Sequence, residues 1–224
     1  MKEHLIRQYD IIPQASLDSA SITIVGAGAI GGWTTLSLAK MGFEDITVYD
    51  FDKVSIENMS SQFYRFGDID KYKVDALANL VEDFTRVKIK PMPVAYTEGH
   101  LKGIVICALD SMKARKLVFD AHNMSSIKTR AIIDPRMGAE SASLYVYDPK
   151  SELDCENYKK SLHSDAEGLA EPCTAKATVY TASLLSGLVV KAVKDIITGQ
   201  ATKLSGAFWD IKANDCALFN KSIA

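Results

Sequence analysis

Long apolar runs are missing from this chain: no stretch approaches the roughly 18 residues that a membrane-spanning helix needs. The opening MKEHLIRQYDII carries charges where the apolar part of a secretory leader would fall, so no leader is expected. An excess of one charge is missing too, and a net charge of −2 gives no sign of a surface for nucleic acid or membrane. Cysteine is sparse: Cys107, Cys155, Cys173 and Cys216 include no CxxC pair and no disulfide-dense spacing, which suits a reducing, cytoplasmic setting. There is no internal repeat and no low-complexity segment.

What is present fits one globular unit. With 47% hydrophobic residues in a chain of 224, residues 1–224 can bury the core of a single α/β domain. Its organising stretch is residues 21–52. SITIV is a short β-branched run, and GAGAIG follows at once with Gly26, Gly28 and Gly31. WTTLSLAKMG has helical spacing and is closed by Gly42; DITVYDFD then predicts a second strand ending in Asp50 and Asp52. Strand, glycine turn, helix, strand and acid form a βαβ unit suited to a nucleotide. Gly26 allows the tight turn, Gly28 lets backbone N–H groups approach phosphate, and Gly31 lets the helix lie close on the strand. The helix start adds roughly half a positive charge, which favours an anion, and Asp50 stands where an acid can accept from a ribose hydroxyl.

The rest of the chain continues the alternation. Residues 1–20 read as a short helix and loop outside the sheet, with Arg7 as a solvated charge. The segment KVSIENMSSQFYRFGDIDKYK is long, polar and turn-like, and loops at this end of a strand are where α/β proteins keep their sites. VDALANLVEDF predicts a helix, VKIKPMPVAY a third strand, and GIVICALDS a buried strand ending in Asp110, followed by a helix from Met112. TRAIIDPRMGAESASLYVYDP gives two strands about a turn at RMGAE. Residues 150–172 lack a sustained apolar period and are expected to form a mobile loop or crossover. CTAKATVYTASLLSGLVVKAVKDIITG predicts a long helix ended by Gly199, and LSGAFWDIKANDCALFNKSI a closing pair of strands. The expected fold is α/β: a Rossmann-like, mainly parallel sheet flanked by helices, with antiparallel strands added on the C-terminal side.

In order, GAGAIG, DFD, Asn58, Gln62, Lys73 and ALDS with Arg115 after it resemble the ThiF/MoeB family, the adenylating domain shared with ubiquitin-activating enzymes. That family reads GxGxxG, DxDxV followed by NLxRQ, a GxxK lysine, a CTDN-type strand end and a long helix near the C-terminus. The match covers almost the whole chain, from Arg7 and Gln8 to LLSGLVVKAVKDIITG. The resemblance implies ATP and Mg²⁺, and adenylation of the C-terminal carboxylate of a small ubiquitin-like or sulfur-carrier protein ending in Gly-Gly. It implies Lys73 at the phosphates, Asp110 holding Mg²⁺, Asp50 on the ribose, and Asp52, Asn58 and Gln62 lining the same pocket. It also implies a homodimer in which Arg7 reaches the partner's ATP site, and Cys173 as a crossover cysteine able to link covalently to the activated partner. Lys176 and a helix start would favour a Cys173 thiolate; a buried small hydrophobe is the other reading.

The departures are specific. The NLxRQ arginine falls at Ser61, where Arg65 could substitute or remain a surface charge, and the GxxK glycine falls at Asp70. The paired CxxC motifs of many relatives are missing, so their structural zinc is not expected, because a closed zinc site needs four ligands. Two alternatives therefore stay open: a non-catalytic scaffold with the adenylating fold, favoured by Ser61, and a nicotinamide-dependent oxidoreductase, which gives Lys73 and Asp110 no role.

Overall fold

The computed structural model describes residues 3–96, 101–123, 129–162, 177–200, 204–213 and 215–220. The chain enters through a 3₁₀ turn, Glu3–Gln8, and a short helix α1, Gln14–Asp18. Leu5, Ile12 and Leu17 are buried, which docks this lead-in onto the core. Strand β1 (Ser21–Val25), helix α2 (Ala29–Lys40) and strand β2 (Asp45–Tyr49) form the expected βαβ unit. The polar segment that follows contains two 3₁₀ turns, Ile56–Ser60 and Phe66–Asp68, before helix α3, Lys73–Thr85. Strand β3 (Lys90–Met92), strand β4 (Gly103–Cys107), helix α4 (Met112–Asn123) and strands β5 (Thr129–Met137) and β6 (Ser141–Tyr147) come next. Helix α5 (Glu152–Lys160), helix α6 (Val179–Ile197) and strands β7 (Leu204–Asp210) and β8 (Asp215–Asn220) complete the fold.

All eight strands lie in one sheet, ordered β3-β2-β1-β4-β5-β6-β7-β8. The first five in sequence pair in parallel, and β6, β7 and β8 add antiparallel ladders beyond β5. From β1 the connections run outward to β2 and β3 on one side and then to β4 and β5 on the other. The order reverses between β1 and β4, which opens a crevice beyond their carboxyl ends.

Burial on both faces explains the near-continuous apolar strands. Along β4, Ile104 and Ile106 belong to a core with Ile24, Val48, Leu77, Leu185 and Val189; Val105 and Cys107 belong to a second core with Phe119, Tyr147 and Tyr158. This is the period of two expected of a strand. Helix α2 is buried nearly all round, and α6 meets it through a buried hydrogen bond from Ser186 Oγ to the Ile30 carbonyl at 3.1 Å. No helix among the described residues is long and apolar enough to cross a membrane.

Two expectations need correction. Within residues 150–172, Glu152–Lys160 is a helix, not a loop. It forms from end effects rather than an apolar stripe: Ser151 Oγ accepts the Asp154 N–H, acids Glu152 and Asp154 occupy the first turn, and Lys159 and Lys160 the last. The third strand is also shorter than VKIKPMPVAY, because only Lys90–Met92 pairs with β2. Pro91 and Pro93 carry no N–H for a longer ladder. Residues 163–172, Cys173, Lys176 and the loop near Gly99 lie outside the described residues.

Candidate functional site

At the reversal point the backbones of β1 and β4 nearly touch. Gly26 has φ of +102°, and a Cβ there would lie 2.1 Å from the Ala108 carbonyl oxygen. A Cβ on Gly31 would lie 1.9 Å from the Gly26 oxygen, so the first turn of α2 rests directly on the turn that precedes it. Gly28, the N-cap of α2, would direct a Cβ into open space. The helix start, with its unpaired N–H groups and positive end, therefore faces a crevice with room for an anion.

Asp50 ties the glycine turn to the segment after β2. Its Oδ2 accepts the Ala27 N–H at 2.6 Å and its Oδ1 accepts the Asp52 N–H at 2.8 Å. Burial raises the Asp50 carboxyl above the usual carboxylate range, and these two N–H groups offset part of that rise. Tyr64 closes the other side by donating its hydroxyl to the Ala27 carbonyl at 2.5 Å. Burial, with Asp50 nearby, holds the Tyr64 phenol well above its ordinary value, so it remains a donor.

Lys73 opens α3, and its side chain is only 9% exposed. Its Nζ donates to Asp52 Oδ2 at 2.9 Å, and its backbone N–H donates to the Asp52 carbonyl, also at 2.9 Å. The turn leading into it passes through Asp70, which takes φ of +71° where the resembled motif has glycine. Asp110, exposed just beyond β4, has no hydrogen bond or ion pair among the described residues. The glycine turn, Asp50, Asp52 and Lys73 are thus joined in sequence through hydrogen bonds, and Asp110 stands two residues beyond the Ala108 carbonyl that Gly26 meets.

Other expected site residues are engaged elsewhere. Asn58 Oδ1 accepts the Ser55 N–H at 2.9 Å and caps its own 3₁₀ turn. Arg65 is paired with Asp68 at 3.0 Å and with Asp83 at 3.4 Å. Gln62 and Arg65 line a cavity of about 380 Å³ with Phe63, Tyr64, Leu80, Asp83 and Phe84, against α3. Arg7 is exposed on the entering 3₁₀ turn. Burial pushes the Cys107 thiol up, which leaves it a packed hydrophobe.

Sequence reasoning passed over a buried ionic cluster behind Asp110. Asp134 is fully buried, and its carboxylate accepts Arg115 Nε at 2.9 Å, Arg136 Nε at 2.7 Å and the Tyr158 hydroxyl at 2.9 Å. Arg115 also donates to the Leu109 carbonyl at 2.5 Å, next to Asp110, while Arg136 donates to the carbonyl and hydroxyl of Ser161. The signal was an acid inside the apolar run AIID, which demands a partner. Tyr64 was missed because nothing in its neighbours announces a contact with a turn 37 residues earlier.

The donor set bears on a metal. Among the described residues no three His, Cys, Asp or Glu side chains gather as a metal cage. A free, exposed Asp110 beside an anion seat instead fits Mg²⁺, which commonly takes one or two carboxylates and completes its shell with phosphates and water.

Comparison with known proteins gives the family. The family model described as ThiF family matches residues 4–222. The NEDD8-activating enzyme E1 catalytic subunit of Schizosaccharomyces pombe is 31% identical over 118 residues, 47% of this chain and 26% of that protein. The adenylyltransferase and sulfurtransferase UBA4 of Yarrowia lipolytica is 28% identical over 135 residues, 56% of this chain and 34% of that protein. The tRNA threonylcarbamoyladenosine dehydratase of Haemophilus influenzae is 30% identical over 114 residues, 45% of this chain and 42% of that protein. The matches thus span a quarter to two fifths of these relatives. Among solved structures, E. coli MccB with ATP superposes with TM-score 0.78 at 14% identity, covering 100% of this chain and 73% of that one. PaaA gives 0.77 at 19%, covering 97% and 72%. With a glycine turn, two acids and a lysine in the order of the motifs, and a family match across nearly its whole length, this chain belongs to the ThiF family.

Proposed function

We propose that the protein adenylates a substrate carboxylate with ATP, releasing pyrophosphate. The observation that carries this reading is the hydrogen-bonded path from the glycine turn through Asp50 and Asp52 to Lys73, a buried lysine beside an open anion seat. In the reaction a carboxylate oxygen bonds to the α-phosphorus, the bond to the pyrophosphate oxygen breaks, and no proton need move. The barrier is electrostatic, since like charges are brought together. The start of α2 and the Lys73 ammonium counter that charge, Asp50 orients the ribose side, and Asp110 binds Mg²⁺. When bound, Mg²⁺ supplies further neutralisation of the phosphates. The finer reading is that the carboxylate is the C-terminal glycine of a small ubiquitin-like or sulfur-carrier protein, that the protein is a cytoplasmic homodimer with Arg7 reaching across, and that Cys173 takes part after adenylation. The names of the NEDD8-activating and UBA4 relatives support that substrate class.

ATP–pyrophosphate exchange with a candidate carrier tests the proposal. Lys73→Ala and Asp110→Ala should each lose about 10²–10³ in exchange rate while remaining folded. Exchange by Lys73→Ala near the wild-type rate would remove its catalytic assignment. A second reading, a scaffold without catalysis, draws on Ser61, which is buried where the resembled motif carries arginine. Absence of exchange in wild type with a verified carrier would favour it.

A further inference from the structure

We infer that Asp52 is a positioning residue that acts through Lys73: it fixes the lysine at its side chain and at its backbone, rather than serving as a contact to the nucleotide. The purpose of this arrangement rests on the adenylation reading; the arrangement itself does not. A lysine that meets phosphate must be held in one place. The Lys73 side chain is nearly buried, and it is the first residue of α3, so its reach is set by what holds it there.

Asp52 holds it twice. Its carboxylate pairs with Nζ, and its carbonyl holds the backbone N–H of the same lysine, so one residue grips Lys73 at both ends. Its own N–H is held by Asp50, whose other oxygen holds Ala27. Lys73 is thereby placed relative to the glycine turn by consecutive hydrogen bonds. The other charged or titratable groups on this path are Asp50, from the same segment, and Tyr64, from the loop that follows, together with the positive ends of α2 and α3. Asp50 is already committed to two backbone donors, which leaves Asp52 as the partner of the ammonium. The Asp52 side chain is 47% exposed, so truncating it opens no cavity in the core.

Competitive acetylation with acetic anhydride tests the inference on the intact protein without any substrate. The acetylation rate of Lys73 at one fixed pH is read by mass spectrometry, against the exposed Lys88 of the same digest. In Asp52→Asn and Asp52→Ala, Lys73 loses its partner and should react about 10-fold or more faster, while the rate of Lys88 stays put. Asp52→Glu, which keeps the carboxylate, should restore part of the protection. An unchanged Lys73 rate in both neutral variants overturns the inference. Pyrophosphate exchange is the separate readout: Asp52→Asn should lose about 10-fold or more in kcat with little change in the KM for ATP. Wild type inactive in exchange would sink the adenylation reading, while the acetylation rate of Lys73 would still decide the role of Asp52.

Discussion

Asp70 carries the clearest local strain near the site. Its φ of +71° lies in the left-handed region, disfavoured by about 1–2 kcal/mol for most residues and by less for Asp. The turn keeps this shape because Asp70 donates its N–H to Val54 at 2.9 Å and Val54 donates back to Lys71 at 2.9 Å, just before Lys73. Asp70→Gly should therefore stabilise the fold by about 0.5–1 kcal/mol, read as a higher urea midpoint at unchanged slope. A lower midpoint would mean that the carboxylate does more than occupy the turn. Asp68 gives a pH signature. Burial opposes its ionisation, but hydrogen bonds from Arg65 and Lys71 outweigh burial and hold the carboxyl below its usual range. A lowered folded-state value adds stability above the unfolded-state value of about 3.9, and that stability is lost as pH falls through the folded one. Asp68→Asn should cost about 2 kcal/mol at pH 7 and show a flatter loss of melting temperature below pH 4 than wild type. Equal slopes would remove Asp68 from the acid response.

Among the elements, α5 shows where pattern reading stops. Its chain-facing anchors are Asp154 and Tyr158, not a run of leucines, and Tyr158 is held by stacking on Tyr147 at 4.3 Å and by Asp134. Truncating Asp134 tests how far this cluster joins β5, α4 and α5. Asp134→Ala leaves the buried Arg115 and the partly buried Arg136 without a counter-ion, which should cost about 3–5 kcal/mol and lower the melting temperature by about 10 °C. A loss below 1 kcal/mol would show that carbonyl oxygens and tyrosine rings alone hold both charges. The glycine unit, the long α6 and the β5–β6 hairpin were legible because each has a period or a turn signal that local chemistry enforces. The members of the glycine-turn site were legible as an ordered set of motifs. What joins them was not: Lys73 meets Asp52 across a 21-residue separation and Arg115 meets Asp134 across 19, and neither distance is a period of any helix or strand. Such pairs are created by the sheet order, which brings chain ends together only after the fold exists.

At the scale of the whole molecule, five parallel strands supply the crevice and three antiparallel strands extend the sheet away from it. Arg7 stands exposed on the entering turn, whose Gln8 donates to the Met41 carbonyl at the end of α2 away from the glycine turn. If it completes a neighbour's site, light scattering at micromolar concentration should give about twice 24.5 kDa, and Arg7→Ala should lower exchange without lowering the melting temperature. A monomeric mass with full exchange would show that each chain works alone. The seat for an anion has one more property. Gly26, Gly31 and Ala108 meet in less space than a methyl group occupies, so the start of α2 is located by excluded volume. Repulsion between atoms in contact has no dependence on ionic strength or proton concentration. The charges around the crevice can strengthen or fade as conditions change, while the place where an anion would sit stays where steric contact has put it.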